Sequence, residues 1–107
     1  MTTLSPTQRS VALLRGQGYH VAIVEHWNAH VQRRQDLFGF IDLIALRDGE
    51  TLAVQTTTGP NVASRLTKIA EHPNLPVVRA AGWSIHVHGW RKVGKPARWD
   101  CRIIDVS

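Results

Sequence analysis

Two polar side chains interrupt two apolar runs of the sequence, residues 40–46 and 51–57. The dipeptide Asp48-Gly49 separates the runs, and it accommodates the positive φ angles of a two-residue turn. The pattern therefore predicts a β-hairpin. The turn fixes the cross-strand pairs, which are Arg47 with Glu50, Leu46 with Thr51, Ile44 with Ala53 and Asp42 with Gln55.

Asp42 and Gln55 are the pair that could do chemistry. Directly opposed residues of an antiparallel pair have Cβ atoms about 4.5–5.5 Å apart, which lets both side chains touch one ion. Magnesium takes one or two carboxylates from a protein and completes its shell with water and phosphate oxygens. Such an ion activates water and stabilises the charge that develops at a phosphodiester. The alternative is a structural hydrogen-bonded pair, although an isolated buried carboxylate is costly without a cation or several donors.

Three more side chains are candidates for the surroundings of this pair. Glu25 lies among apolar neighbours and Asp36 precedes the hairpin, so each is a candidate for a further ligand or for a second layer around the ion. Thr57 follows Gln55 on the same strand face. The alternative role of Asp36 is to cap a turn, and that of Thr57 is to favour the strand.

The charge of the chain favours a polyanionic partner. Thirteen Lys and Arg residues against eight Asp and Glu residues give a formal charge of +5, and a basic surface binds nucleic acid by releasing counterions. The alternative is a charge that serves solubility. The candidates for DNA contacts are Arg33, Arg34, Arg65, Arg91, Lys92, Lys95 and Arg98.

The four tryptophans are expected mainly in the core or at a sheet edge; they are Trp27, Trp83, Trp90 and Trp99. Trp90 and Trp99 also stand beside basic residues. There they could stack on bases or pack against the backbone of a nucleic acid.

The segments before the hairpin predict a helix and a strand. Residues 5–8 have the pattern of a capping box, so a helix is expected to begin there and to end at Gly16 or Gly18. Residues 19–27 alternate as a strand with apolar side chains on both faces, which predicts a strand that is covered on both sides. Residues 28–35 are expected to be a polar connection.

The segments after the hairpin predict helices and two more strands. Asn61 is expected to cap a helix that runs from Val62 to about His72. Residues 74–81 are expected to be irregular or helical. The strands are predicted at 83–90 and 98–106, with a basic loop at 91–97 between them. The elements together predict the α/β class, with a mixed sheet flanked by helices in one domain, residues 1–107.

Nothing in the sequence indicates a membrane segment. No apolar run approaches the roughly 20 residues of a membrane helix, and residues 1–10 lack the apolar core of a signal peptide. The single cysteine, Cys101, rules out an internal disulfide and fits a reducing compartment. We therefore expect a cytoplasmic protein with no membrane partner.

The order helix–strand–hairpin–helix–strand, with the Asp of DLFGFID (36–42) and the Gln-x-Thr of AVQTTT (53–58), resembles the PD-(D/E)XK nuclease superfamily. The likeness is greatest to small members from phages and to Holliday-junction resolvases, and it covers residues 5–90. It implies a restriction-endonuclease-like αβββαβ core, and it implies cleavage of DNA with Mg²⁺, for which Mn²⁺ substitutes.

The resemblance also implies roles for single residues. Asp42 matches the metal-binding aspartate, and Gln55 stands where Glu or Asp is usual. Thr57 occupies the place of the usual catalytic lysine. In some branches that lysine lies on the following helix, which implies Lys68, or Arg65, as the catalytic cation. The acid that many members carry on the first helix is missing, and Glu25 is the candidate that replaces it.

The leading hypothesis is a divalent-metal-dependent DNA endonuclease that hydrolyses phosphodiester bonds. Selectivity of the enzyme for a particular DNA structure stays open. The alternative is a catalytically inactive DNA-binding module with a nuclease fold, which Thr57 and the missing first-helix acid favour. A third interpretation is a small interaction protein whose charge serves an acidic protein partner. Many nucleases of this size form dimers, so a homodimer stays open.

Overall fold

A mixed sheet of five strands forms the centre of the computed structural model, which describes residues 4–107. In spatial order the strands are β1 (His20–Ile23), β4 (Leu43–Arg47), β5 (Glu50–Thr58), β6 (Ser84–Val93) and β7 (Arg98–Asp105), numbered along the chain. β5 and β6 run parallel, and every other neighbouring pair runs antiparallel. Two short strands form a separate antiparallel ribbon, β2 (His26–Asn28) with β3 (Arg33–Gln35). The first three residues of the predicted domain 1–107 lie outside the described residues.

Helices cover both faces of the central sheet. Helix α1 (Pro6–Gly16) packs on one face, and helices α2 (Val62–Ala70) and α3 (Leu75–Ala80) pack on the other. Successive side chains of β5 alternate between the two cores, with Leu52 on the α1 side and Ala53 on the α2 side. The predicted α/β class, with a mixed sheet flanked by helices, is confirmed. No helix within residues 4–107 is long and apolar enough to cross a membrane.

The predicted hairpin is confirmed in its turn and its register. Asp48 and Gly49 have φ angles of 45° and 79°, and the predicted pairs from Arg47–Glu50 to Ile44–Ala53 are formed. The prediction that the first strand begins at Phe40 is wrong, because β4 begins at Leu43. The backbone of Ile41 pairs instead with that of Leu37, through N···O distances of 2.9 and 3.0 Å. The segment before Asp42 is therefore a tight turn.

The prediction of one covered strand over residues 19–27 is wrong. The backbone N–H groups of Val24 and Glu25 both donate to the carbonyl oxygen of Asp42, at 2.9 and 3.3 Å, and the chain leaves the sheet at this point. β1 and β2 therefore end up as separate strands. Most of their side chains are exposed, because β1 lies at the edge of the sheet and β2, among the strands of residues 4–107, pairs only with β3.

Residues 28–35 are not wholly a connection, since β3 occupies the last three of them. The side chain of Asn28 accepts a hydrogen bond from the backbone N–H of His30 at 2.9 Å, which starts the turn between the two strands of the ribbon. Trp27 then faces Arg34 directly across the ribbon.

Element ends differ from the sequence prediction at three further points. The Asn61 side chain does not cap α2; it donates to Thr58 Oγ1 at 3.1 Å. Helix α2 ends at Ala70 rather than near His72. β6 continues to Val93, so only residues 94–97 remain as the basic turn. The capping box of α1, by contrast, is confirmed.

Helix α2 approaches β6 most closely at Gly89. A Cβ atom on Gly89 would overlap Cγ2 of Val62, the first residue of the helix, which is fully buried. The missing side chain therefore lets the start of α2 lie against the sheet, and this position sets where the later residues of α2 project.

Gly89→Ala is expected to lower the free energy of unfolding by about 1–3 kcal/mol, because the added methyl group overpacks the contact with Val62. The loss should be smaller in a Val62→Ala background, since Val62→Ala removes Cγ2. Urea unfolding of the two single variants, the double variant and the wild type measures both quantities. Gly16→Ala is the control, because a Cβ on Gly16 meets nothing within 4 Å. An equal loss in the two backgrounds would contradict the proposed contact.

Candidate functional site

A cleft of about 490 Å³ opens between the start of α1, the end of β5 and helix α2. Eight of the predicted site residues line it, which are Glu25, Arg34, Asp36, Asp42, Gln55, Thr57, Arg65 and Lys68. Arg33 lines a neighbouring cleft that shares Arg34, Asp36 and Lys68 with the first. The structure thus brings residues from five separate segments of the chain to one place.

Three carboxylates meet in this cleft. One side-chain oxygen from each of Glu25, Asp36 and Asp42 lies within 4.8 Å of the others. Glu25 lies between β1 and β2, Asp36 directly follows β3, and Asp42 directly precedes β4. The tight turn between Leu37 and Ile41 closes the chain on itself and so brings Asp36 beside Asp42.

Asp42 is the most buried acid of the three, with 3% of its surface exposed. Its Oδ2 atom accepts hydrogen bonds from Thr56 N at 2.8 Å, from Thr56 Oγ1 at 3.3 Å and from Gln55 Nε2 at 3.3 Å. The predicted contact between Asp42 and Gln55 is present. Burial raises the pKa of Asp42 to about 7; the backbone hydrogen bond from Thr56 opposes this rise, and the carboxylates of Asp36 and Glu25 add to it.

Two cations approach the other two acids. Lys68 Nζ lies 3.7 Å from Asp36 Oδ2, and Arg34 Nη1 lies 3.5 Å from Glu25 Oε1. Within residues 4–107, Asp42 forms no such ion pair, and its donors are neutral. The negative charge that lacks a partner is therefore located on the most buried carboxylate.

Gln55 supplies a fourth oxygen beside the carboxylates. Its Nε2 atom donates to Asp42 and lies 3.5 Å from Asp36 Oδ2, while its buried Oε1 atom has no hydrogen-bond partner among the described residues. Rotation of the amide by 180° would turn Oε1 toward the carboxylates. Three carboxylates and an amide oxygen are the ligand types that hard divalent cations take, so these residues could hold a metal ion.

Two threonines of the site were not expected from the sequence. Thr7 of α1 bonds Thr56 Oγ1 at 2.8 Å and donates to Glu25 Oε1 at 3.4 Å. Thr7 thus supplies a hydroxyl group from the first helix beside Glu25. The contact with Thr56 spans 49 positions of the chain, and no local pattern in the sequence signals it.

Four of the predicted DNA contacts line neither this cleft nor the neighbouring one. They are at the far end of the β6–β7 hairpin and comprise Arg91, Lys92, Lys95 and Arg98. Arg91 approaches Asp100 at 3.8 Å, and Lys92 Nζ lies 5.3 Å from the ring centre of Trp99. None of these four residues lines the cleft, but Arg91 lies against Gly59, which directly follows Thr58 of the cleft lining.

Comparison with protein-family models, with curated proteins and with solved structures finds no match for this chain. The chemistry of the cleft therefore has to be inferred from its own geometry.

Asp42→Asn is expected to stabilise the protein at pH 8, by an amount on the order of a few kcal/mol. The unfolded carboxyl titrates near 3.8 and the folded one near 7, so between these values the folded state holds more protons. Wild-type stability therefore falls as the pH rises through this window. Asparagine has no such charge, so the gain should be full above pH 7 and absent below about pH 4.

Urea unfolding from pH 4 to pH 8 with EDTA measures this effect. Asp48→Asn is the matched control, since Asp48 lies on the same hairpin but is exposed in the turn. A pH profile for Asp42→Asn that parallels the wild type would contradict the buried charge.

Proposed function

We propose that this protein is a divalent-metal-dependent DNA endonuclease of the PD-(D/E)XK type. The observation that carries the proposal is the convergence of Glu25, Asp36 and Asp42 with Gln55 and Lys68 in one open cleft. Three acids that repel one another and include one buried carboxylate are costly in a folded protein. A bound cation offsets that cost.

The topology supports the same proposal. With the ribbon and the short helix α3 left aside, the order of elements up to β6 is α1, β1, β4, β5, α2 and β6, which corresponds to an αβββαβ core. Strands β1, β4 and β5 form an antiparallel meander, and β6 runs parallel to β5 after the helical crossover. A restriction-endonuclease-like core is the fold that we propose on this basis.

The proposed ligands are Asp42, Gln55, Glu25 and Asp36, with Mg²⁺ as the ion and Mn²⁺ as its substitute. The ion, when bound, would activate water and neutralise charge at the phosphodiester. Thr56 holds Asp42 in position through its backbone N–H and its hydroxyl group.

Lys68 is the proposed catalytic cation. Thr57 has no charge, whereas Lys68 Nζ already lies 3.7 Å from an acid of the cluster. A fixed positive charge at this place stabilises the charge that develops on the phosphate oxygens in the transition state. Arg65 lines the same cleft from the same helix, and Arg34 lines it from the ribbon. We assign both residues to contacts with phosphates of the DNA.

Wild-type protein is expected to cleave plasmid or branched DNA when Mg²⁺ or Mn²⁺ is added. Asp42→Asn and Lys68→Ala should each lower the cleavage rate by at least about 100-fold, as the loss of one charge-stabilising group does in other enzymes. Asp48→Asn and Arg15→Ala are matched controls, because both positions are exposed and neither lines the cleft. Cleavage that survives in Asp42→Asn would refute the assignment.

One observation favours the non-catalytic alternative. The four basic residues of the β6–β7 hairpin do not line the cleft, so DNA could bind them without any contact with the carboxylates. That alternative predicts metal-independent binding that weakens steeply with salt and that Arg91→Ala and Lys92→Ala reduce. Metal-dependent turnover by the wild type would exclude it.

A further inference from the structure

The ribbon of β2 and β3 is attached directly to the carboxylate cluster at both of its ends. Glu25 immediately precedes β2, and Asp36 immediately follows β3. The ten residues 26–35 between them form a two-stranded element that is separate from the central sheet. Any molecule that lies on the base of this ribbon therefore also lies beside the acids.

Trp27 is exposed on the ribbon, with 60% of its surface accessible. It pairs directly with Arg34 across the two strands, and directly opposed side chains project from the same face of a pair. Arg34 reaches Glu25 and lines the cleft. Trp27 and Arg34 thus share one face, and Trp27 is only two residues from Glu25, or about 7 Å along an extended strand.

The chemistry of this face selects its occupant. A large exposed ring offers a flat apolar surface, and Arg34 beside it favours an anion. An unpaired nucleotide combines both features, because its base has a free π-face and its phosphate is negative. In a duplex the faces of the bases are already stacked on one another. A ribbon of this kind therefore favours a strand with unpaired bases.

We propose that Trp27 stacks on an unpaired DNA base while Arg34, on the same face of the ribbon, contacts a neighbouring phosphate. The substrate of the cleft is then single-stranded DNA, or a branched DNA with unpaired nucleotides next to the cut. This inference rests on the proposed nuclease function for its substrate, but the binding step is independent of cleavage.

Binding is measured first, by fluorescence anisotropy of labelled oligo(dT) and of a duplex of the same length, in EDTA. The wild type should bind the single strand more tightly than the duplex. Trp27→Ala should weaken binding of the single strand by about tenfold or more, since stacking on one aromatic ring contributes substantially. Trp27→Phe should retain most of the affinity, because it keeps an aromatic ring. Val77→Ala on α3 is the control for loss of an exposed apolar side chain.

Trp99→Ala tests the rival surface on β7. A loss of affinity in Trp99→Ala with none in Trp27→Ala would overturn the inference, and so would a wild type that prefers the duplex. Cleavage separates this inference from the proposed function. If single-stranded DNA binds through Trp27 but no metal-dependent cleavage occurs, only the proposed nuclease activity is refuted. Cleavage that is unchanged in Trp27→Ala on both single-stranded and duplex DNA refutes only the role of the ribbon.

A second inference concerns β7 and does not depend on the proposed function. β7 is an eight-residue strand at the edge of the sheet, and no strand within residues 4–107 pairs with its outer side. Backbone groups of alternate residues point outward from such an edge. In an antiparallel pair, two directly opposed residues either both direct their backbone groups toward each other or both direct them away. When two copies of β7 pair, opposed residues are therefore separated in sequence by an even number of positions. The two-fold axis then passes through one residue, which faces its own copy.

Among the three registers whose two-fold axis lies at residue 100, 101 or 102, only one sets opposite charges against each other. An axis at Asp100 or at Arg102 would place that residue opposite its own copy. An axis at Cys101 places Asp100 opposite Arg102 on both sides of the axis, and Trp99 opposite Ile103. Trp99 and Ile103 both have exposed surface. We infer that two copies of the chain pair through β7 in this register and form one continuous sheet.

Charge exchange tests the register. Asp100→Arg and Arg102→Asp should each weaken dimerisation by tenfold or more, because each change sets like charges opposite one another. The double exchange restores both pairs and should restore the dimer. Sedimentation equilibrium measures the association, and circular dichroism checks that each variant is folded. A monomeric wild type, or a double variant no better than the single ones, would overturn the inference.

Discussion

The main chain at Asp42, which directly precedes β4, forms hydrogen bonds with β5 and with the segment that follows β1, and the rest of the site depends on these bonds. Its N–H donates to Val54 O at 2.9 Å, and its carbonyl oxygen accepts from Val24 and Glu25. Its side chain is held from β5 by Thr56. The backbone hydrogen bonds that join the strands therefore fix a carboxylate at a buried position. The backbone of Glu25 cannot move away from that of Asp42 without the loss of one of these bonds.

The ion pairs around the cluster do little to offset this repulsion. The side chains of Lys68 and Arg34 are 39% and 68% exposed, and ion pairs with such exposure contribute little to stability. The packing of the two cores has to hold the acids together instead. Charge repulsion that the scaffold sustains is typical of functional sites, because it favours the ligand that relieves it.

Local rules predicted the hairpin because its turn and its alternation agree. Asp48-Gly49 sets a two-residue turn, and the register that follows places Asp42 beside Gln55 as expected. The helix after the hairpin was likewise predicted, and its Lys68 reaches the cluster. The α/β class follows from the same periodicities. These features depend on short stretches of sequence, in which each residue acts on near neighbours.

The errors arose where distant residues decide the local structure. Residues 19–27 alternate like one strand, yet the carbonyl oxygen of Asp42 takes the N–H groups of Val24 and Glu25 and turns the chain out of the sheet. The polar composition of residues 28–35 is typical of a loop, but residues 33–35 form a strand because they pair with β2. Asp36 joins the cluster only because a turn closes after it. Thr7 does so through a contact with Thr56.

The break at Glu25 has a consequence for how the site could respond to its ligands. If residues 19–27 had formed one strand, Glu25 would have remained within the sheet, remote from Asp36. Because the chain departs there, the ribbon begins and ends at acids of the cluster, and a shift of either of its strands displaces a carboxylate. A cation that fixes Glu25 and Asp36 then also fixes the base of the ribbon. If a bound cation raises the affinity of the ribbon for single-stranded DNA, then by thermodynamic reciprocity the bound DNA raises the affinity for the cation by the same factor.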